Sequence, residues 1–238
     1  MYKVVFTHKK CSIPDGYVKI DNRKSDLDHR LYSEVAGYDV LMKMFNDAEN
    51  AKSADTTGKT NPEFPPIWIQ TNHYRRIFDI DCCNRTYIAQ PMIFPCTVAQ
   101  QYAAMHYIED LKTMCNAIRE LYPSMINFAE QVLNQKIFIP YNMVTCQYGQ
   151  FRDYAQFLIS VLKKTHELSG NHNYDETLEI MKRKEPLTVE GRNNDPKYQT
   201  RWLSFVSERL STIYWRFISQ QMPIFPAKIN LLEEGQKI

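Results

Sequence analysis

The chain has 238 residues, of which 44% are hydrophobic, and 29 basic and 27 acidic side chains leave a formal net charge of only +2. This length suits one α/β domain with a sizeable core, and the scattered basic residues argue against a nucleic-acid-binding protein with a broad basic face. The six cysteines form no CxxC pair, the chain starts with Met without an apolar leader, and no stretch approaches the ~20 apolar residues of a membrane span. We therefore expect reduced thiols in a cytoplasmic protein whose membrane association, if any, is peripheral.

Two predicted strands end in cationic groups. Residues 2–7 have the pattern of a buried strand and are followed by His8, Lys9 and Lys10, whereas the apolar run from residue 67 ends in His73-Tyr74-Arg75-Arg76. Ligands of α/β proteins bind beyond the carboxyl ends of the strands. If both strands lie in one parallel sheet, these cations converge on one anionic ligand. A pair of solvated surface arginines is an equally weighted alternative.

The rest of the pattern predicts helices that cover a sheet. Short strands are expected at residues 85–93 and 137–139. Apolar residues recur at helical spacing in five segments, at 31–48, 97–121, 125–133, 150–168 and 201–219. Residues 50–66 and 169–200 are polar and are expected to be loops, the second with a short helical pattern at 175–184. We thus predict a single domain spanning residues 1–238.

Phosphate groups would have to be held by side chains, because the sequence contains neither GxGxxG nor GxxxxGK[ST]. The planar fork of arginine suits a diphosphate, and each charge-assisted contact contributes about 1.5–3 kcal/mol. This makes Arg75 and Arg76 the best candidates. Asp79 and Asp81 have the spacing of ligands for Mg²⁺ or Mn²⁺ on substrate phosphates, although such DxD strings are frequent by chance.

Three further residues are candidates for proton transfer. On a continuous helix over 97–121, His106 lies beside Asp110 at i, i+4 spacing, an arrangement found both in general bases and in structural pairs. Glu208 lies outside the apolar stripe of the last predicted helix. It is either an inward carboxylate available to a substrate hydroxyl or the exposed partner of an arginine.

Several strings together resemble a known family. They are Thr7-His8-Lys9-Lys10, Ser33-Glu34-Val35-Ala36-Gly37-Tyr38, His73-Tyr74-Arg75-Arg76, His106-Tyr107-Ile108-Glu109-Asp110-Leu111, Pro140-Tyr141-Asn142-Met143 and Ser207-Glu208-Arg209-Leu210. Their order and spacing resemble domain of unknown function 4422, a family of bacterial capsular and exopolysaccharide gene clusters that is regarded as GT-A-type glycosyltransferases. The resemblance covers nearly the whole chain, and His-Tyr-Arg-Arg-x-Phe and Pro-Tyr-Asn-Met are its most specific parts.

The resemblance implies a GT-A-like fold with a mostly parallel central sheet flanked by helices. It implies a hexosyltransferase-type reaction that moves a sugar from a nucleotide-diphosphate donor to a glycan or lipid-linked glycan, in the cytoplasm or at the inner membrane, without a nucleic-acid partner. Arginines would replace a required metal, with Mg²⁺ or Mn²⁺ on Asp79 and Asp81 as the other option. The implied substrate-binding residues are Thr7, His8 and Lys9 near the nucleotide, His73, Tyr74, Arg75 and Arg76 near the diphosphate, and Tyr141 and Asn142 near the sugar or acceptor. The catalytic candidates are Glu208, His106 and Asp110.

Two other functions compete with this one. The sequence has Gln70-Thr71-Asn72 where family members have a Gly-Leu-Cys-like run, which leaves a non-catalytic nucleotide-sugar-binding or glycan-binding protein of the same fold as the alternative. A phosphate-ester hydrolase ranks third, because it would need a tight metal site that the sequence does not provide.

Overall fold

The computed structural model of the protein describes residues 1–9, 13, 15–54, 67–80, 84–187 and 191–232, and for residues 48–54 the backbone alone. Its strands are β1 (Tyr2–Thr7), β2 (Tyr17–Asp21), β3 (Trp68–His73), β4 (Arg76–Phe78), β5 (Tyr87–Ala89), β6 (Met92–Ile93), β7 (Ile137–Phe138), β8 (Val144–Gln147), β9 (Phe225–Ala227) and β10 (Ile229–Leu231). Its helices are α1 (His29–Tyr32), α2 (Glu34–Ala54), α3 (Val98–Met105), α4 (Glu109–Leu121), α5 (Ile126–Leu133), α6 (Tyr148–Leu168), α7 (Tyr174–Arg183), α8 (Pro196–Gln199) and α9 (Trp202–Ile218).

One mixed sheet, with eight strands in the described part of the chain, organises the fold. β1 pairs in parallel with both β2 and β3, and β5 pairs in parallel with β9. β8 lies between β3 and β5 and is antiparallel to both, whereas β4 folds back on β3 and pairs with β10. Only β4 and β8 run against the other strands of this sheet. The predicted mostly parallel sheet flanked by helices is therefore confirmed.

The core lies between the sheet and the long helices, because the apolar stripes of α2, α6 and α9 face it. Aromatic rings fill this layer: Tyr38 of α2 contacts Phe151 of α6 at 5.2 Å between ring centroids, and Tyr154 contacts Trp215 of α9 at 4.9 Å. Gly37 lets α2 lie close over β1, because a Cβ at this position would overlap the ring of Phe6. This close approach brings the first turn of α2 to the carboxyl end of β1.

The predicted helix over 97–121 is wrong in its middle, because the backbone becomes extended at His106 (φ −149°, ψ 177°) and ends α3 there. The carbonyl of Met105 accepts hydrogen bonds from the side chains of Gln199 (3.1 Å) and Asn193 (3.4 Å). These buried side chains take over an oxygen that a continuous helix would have bonded within itself. The apolar periodicity continues across the break and therefore does not reveal it.

Other differences concern polar segments. Within the polar residues 169–200, the short helix predicted at 175–184 is present as α7, which starts with a capping box between Asn173 and Glu176, and α8 was not predicted. α2 extends to Ala54, and residues 55–66 lie outside the described residues, as do Lys10 and Asp81. Of the cysteines, those that the structure describes are free thiols, namely Cys96, Cys115 and Cys146, and the others are not described. The described helices include none with the length and apolar character needed to cross a membrane.

Candidate functional site

Two adjoining clefts open at the carboxyl ends of β1 and β3. The smaller, which we name the β1 cleft, has a volume of about 320 Å³ and is lined by Thr7 at the end of β1 and by His8 and Lys9 after it. The larger, which we name the β4 cleft, has a volume of about 500 Å³ and is lined by Arg76 of β4, Tyr141 and Glu208. Both clefts are bordered by Phe6, Glu34, His73, Arg75 and Arg201. The parallel pairing of β1 with β3, which sets Phe6 opposite His73, brings the two strand ends together.

A tight hairpin distributes the two arginines of the His-Tyr-Arg-Arg string. β3 ends at His73, Tyr74 and Arg75 form the turn, and Arg76 pairs with His73 as the first residue of β4. Arg75 thus extends from the turn, whereas Arg76 extends from the strand. Arg75 borders both clefts, whereas Arg76 lines the β4 cleft alone, with its Cζ 4.2 Å from the ring centre of Tyr141.

The β1 cleft gathers cations around one aromatic ring. Lys9 Nζ and Arg75 Cζ lie 5.5 Å and 5.2 Å from the ring centre of Tyr74, and the ring centroid of His8 lies 6.3 Å from it. The backbone N–H of Lys9 donates to Thr7 Oγ1 (3.0 Å), which fixes the turn after β1. Burial lowers the pKa of His8 from its ordinary value, and the neighbouring positive charges lower it further.

Six cationic side chains of these clefts have no carboxylate partner at ion-pair distance and make no side-chain hydrogen bond within the described part of the chain. They are Lys9, Arg75, Arg76, Arg192, Lys197 and Arg201. Arginines elsewhere differ: Arg23 pairs with Asp21 at 2.7 Å, and Arg119 pairs with Glu130 at 3.2 Å. A concentration of unpaired cations in a concave site is the electrostatic signature of an anion-binding site.

His73 links the hairpin to α2. The backbone N–H of Arg75 donates to His73 Nδ1 (3.2 Å), so the proton of a neutral ring lies on Nε2, which is 3.3 Å from Glu34 Oε1. Burial lowers the pKa of His73 to about 4 against the raising effect of the Glu34 charge, and the charges of Arg76 and Arg75 lower the pKa further. We therefore assign a neutral His73 that donates to Glu34 and holds the turn against the start of α2.

Glu208 is a partly buried carboxylate in the β4 cleft. Its Oε1 accepts a hydrogen bond from the backbone N–H of Tyr141 (3.2 Å), and its Oε2 lies 3.4 Å from Nη1 of Arg209. Burial raises its pKa above the ordinary value, and the like charge of Glu34 adds to the effect. Tyr141 has φ +61°, a strained conformation for a residue with a side chain, and such strain is concentrated at functional sites. A fixed carboxylate with a raised pKa is suited to accept a proton.

Two buried polar residues support this carboxylate. The guanidinium of Arg209, only 3% exposed, packs on the rings of Tyr102 (4.8 Å) and Phe138 (4.6 Å) and donates to the carbonyl of Phe205 (3.1 Å). Asn142 Nδ2 donates to a serine hydroxyl on α9 (2.8 Å), while its buried Oδ1 has no partner among the described residues. A buried acceptor without a partner in the β4 cleft is available to a ligand donor.

Stacked rings form one wall of the β4 cleft. His106 stacks on Phe205 with 4.0 Å between centroids, and Tyr198 lies 5.0 Å from the same ring. His106 Nδ1 donates to Gln199 Oε1 (3.1 Å), and burial lowers the pKa of His106 to about 4, so this ring is neutral. Apolar ring faces beside hydrogen-bonding groups are typical of small-molecule binding sites.

The predicted pairing of His106 with Asp110 is wrong. Because the helix breaks at His106, the carboxylate of Asp110 turns to the core and accepts a hydrogen bond from the hydroxyl of Tyr102 (2.9 Å). Burial raises the pKa of Asp110 to about 6, but this residue lines neither cleft. His106 does line the β4 cleft, with Gln199 as its partner.

The aspartates proposed as metal ligands lie apart from the clefts where they are described. Asp79 is exposed, its backbone N–H donates to the carbonyl of Lys228, and it lines neither cleft. Asp81 lies outside the described residues. Within the described ranges, no cluster of three or more His, Cys, Asp or Glu side chains has the geometry to hold a metal ion.

Several cleft residues were not among the predicted site residues. Arg192, Lys197 and Arg201 come from a polar segment and the start of α9, where nothing in the local pattern distinguishes them from surface cations. Glu34 and Arg209 stand inside strings that carry the family resemblance, so those strings were the only available signal for them.

Comparison with known proteins gives a family-model match over part of the chain and one similar solved structure. A model of a domain of unknown function, DUF4422, matches residues 81–183, which confirms the resemblance over this segment. The chain is also similar to the apo structure of WbbM, a bifunctional glycosyltransferase, with a TM-score of 0.66 and 11% sequence identity over 98% of this chain. The chain therefore shares the fold of the matched part of that structure. The chain spans 45% of the length of the WbbM structure, and no curated protein matches it by sequence.

Proposed function

We propose that the protein is a hexosyltransferase-type glycosyltransferase that moves a sugar from a nucleotide-diphosphate donor to a glycan acceptor. The observation that carries this proposal is the set of unpaired cations where β1 and β3 end together, since a diphosphate is the anion that a GT-A-like donor presents there. The resemblance to capsular and exopolysaccharide proteins supports a role in bacterial surface polysaccharide assembly. It also supports a cytoplasmic reaction on a glycan or lipid-linked glycan.

In this proposal the β1 cleft holds the donor. Lys9, Arg75, Lys197 and Arg201 contact the diphosphate, and Tyr74 lies beside the nucleotide. Guanidinium groups that are already in position offset the charge that develops on the departing nucleoside diphosphate. This role makes a divalent metal unnecessary, and Mg²⁺ or Mn²⁺ bound through Asp79 and Asp81 remains the competing proposal.

The β4 cleft holds the acceptor in the same proposal. The acceptor hydroxyl oxygen bonds to the anomeric carbon of the donor sugar while the bond from that carbon to the diphosphate oxygen breaks. The electron pair of the broken bond leaves with the nucleoside diphosphate, and Glu208 takes the hydroxyl proton. Tyr141 and Asn142 orient the sugars beside this carboxylate.

Calorimetric titration with a panel of nucleoside diphosphates (UDP, GDP, ADP and dTDP) tests the donor site. We expect at least one to bind, and Arg75→Gln to weaken its binding about 10- to 100-fold, the equivalent of one charge-assisted contact. The matched control is Arg119→Gln, which removes an arginine that is paired with Glu130 outside both clefts and should leave the affinity unchanged.

Absence of binding across the panel, or unchanged affinity in a folded Arg75→Gln variant, would contradict the donor site. If Arg75→Gln lowers the melting temperature strongly, Arg75→Lys keeps the charge but loses the bidentate fork and gives the same test. Tight binding without release of a nucleoside diphosphate from any nucleotide sugar would instead indicate the non-catalytic binding protein.

A further inference from the structure

The paired clefts contain more positive charge than a donor diphosphate requires. The β1 cleft alone contributes the unpaired Lys9, Arg75, Lys197 and Arg201, against one negative charge on each phosphate of a sugar nucleotide. Arg76 and Arg192 line the β4 cleft and not the β1 cleft. Their charges therefore lie on the side of the proposed acceptor.

Neither Glu34 nor Glu208, the carboxylates of the β4 cleft, lies at ion-pair distance from these two arginines. Glu208 is bound by Tyr141 and Arg209, and Glu34 is bound by His73. A guanidinium group that lacks a protein partner, half-buried for Arg76 and exposed for Arg192, is stabilised when a ligand supplies the anion. The acceptor side of the site is thus incomplete without a second negative charge.

The surroundings of Arg76 point to a ligand at this place. Its guanidinium carbon lies over the ring of Tyr141, and its buried Nε has no hydrogen-bond partner within the described chain. On the same cleft wall, the buried Oδ1 of Asn142 also has no partner in the described residues. An unpaired donor and an unpaired acceptor match a sugar that carries both an anionic group and hydroxyls.

Arg192 supplies the second cation beside an aromatic face. Its Cζ lies 4.9 Å from the ring centre of Tyr198, and that ring packs on Phe205 in the cleft wall. A pyranose ring that stacks on this wall would have a substituent within reach of the guanidinium.

We infer that the acceptor sugar bound in the β4 cleft is acidic and that Arg76 and Arg192 bind its carboxylate or phosphate group. The inference rests on the proposed function in assigning this cleft to the acceptor. A hexuronate and a sugar phosphate share the required chemistry, since both present oxygen pairs to an arginine fork. A neutral acceptor would leave both arginines without a counter-charge.

The test compares three classes of probe by ligand-observed NMR titration: methyl hexuronides, the corresponding methyl hexoside 6-phosphates and the neutral methyl hexosides, in gluco and galacto forms. We expect at least one acidic probe to bind about 10-fold or more tightly than its neutral parent, the equivalent of one charge-assisted contact. Comparing the affinities of the hexuronides and the 6-phosphates identifies which anionic group the site binds. Arg192→Gln and Arg76→Gln should each reduce the preference, whereas Lys9→Gln should keep it.

Equal or undetectable binding of acidic and neutral probes would overturn the inference, and so would a preference that persists in Arg192→Gln. Arg192 is exposed, so this variant remains informative even if Arg76→Gln fails to fold. If nucleoside diphosphate binding depends on Arg75 but acidic probes bind no better than neutral ones, the acidic acceptor alone is rejected and the proposed function stands. If acidic probes bind more tightly than neutral ones and this preference depends on Arg192, but no nucleoside diphosphate binds, the donor site alone is rejected.

Discussion

At the scale of single residues, the chemistry depends on how Glu208 is held. Tyr141 and Arg209 bind separate oxygens of the carboxylate, and the rings around Arg209 prevent that guanidinium from moving away. The positive charges of Arg209 and Arg76 lower the pKa of Glu208, but burial and the charge of Glu34 outweigh them and raise it. The carboxylate is therefore more basic than an ordinary glutamate while its position stays fixed.

The base role of Glu208 predicts both a rate and a pH profile. Glu208→Gln should lower kcat about 10²- to 10⁴-fold, while nucleoside diphosphate affinity by calorimetry stays close to that of the native protein. Because Glu208 acts only when deprotonated and its pKa is raised, kcat/KM should fall as the pH drops through a midpoint above 4.5. Glu130→Gln, on an exposed helix surface, is the control expected to leave the rate unchanged. Retention of most of kcat in Glu208→Gln, or an unaltered acid limb in that variant, argues against this role.

At the scale of secondary structure, Gln199 determines where α3 ends. Its side chain receives a hydrogen bond from His106 Nδ1 and donates to the carbonyls of Met105 and Asn193. These contacts break the helix predicted over 97–121 and turn the ring of His106 onto Phe205. The partner is distant in sequence, and neither Pro nor Gly marks the break, so local propensity and apolar periodicity could not predict it.

Removal of this side chain should destabilise the fold. Gln199→Ala leaves Nδ1 of the buried His106 without its partner and removes the hydrogen bonds that Gln199 donates to the carbonyls of Met105 and Asn193, so we expect the free energy of unfolding to fall by about 2–4 kcal/mol. Urea denaturation provides the measurement, with the exposed Gln156→Ala on α6 as a control that should change it by less than about 0.5 kcal/mol. Equal unfolding midpoints for the two variants would show that Gln199 does not determine the break.

At the scale of the whole molecule, the sequence predicts that the ends of β1 and β3 lie together, but it does not predict all the residues that surround them. Cations after β1 and β3 are visible in the sequence, and the rule that ligands bind beyond parallel strands brings them together. Arg192, Lys197 and Arg201 join the clefts only through the packing of the segment around α8, whose local sequence resembles any solvated surface. The short strands β8, β9 and β10 carry too few residues for a period of two to be recognised. The binding roles assigned to the cleft residues remain predictions.

The central claim is that the β1 cleft binds a nucleotide sugar and that arginines stabilise the nucleoside diphosphate as it leaves. The most direct measurement is release of nucleoside diphosphate from a panel of nucleotide sugars, with and without glycan acceptors, in the presence of EDTA. Because Arg75 and its cationic neighbours lie at the cleft, we predict that release persists in EDTA and falls about 10- to 100-fold in Arg75→Gln. Release that vanishes in EDTA, returns with Mn²⁺ and is lost in Asp79→Ala or Asp81→Ala would contradict the account, because those aspartates would then hold a catalytic metal.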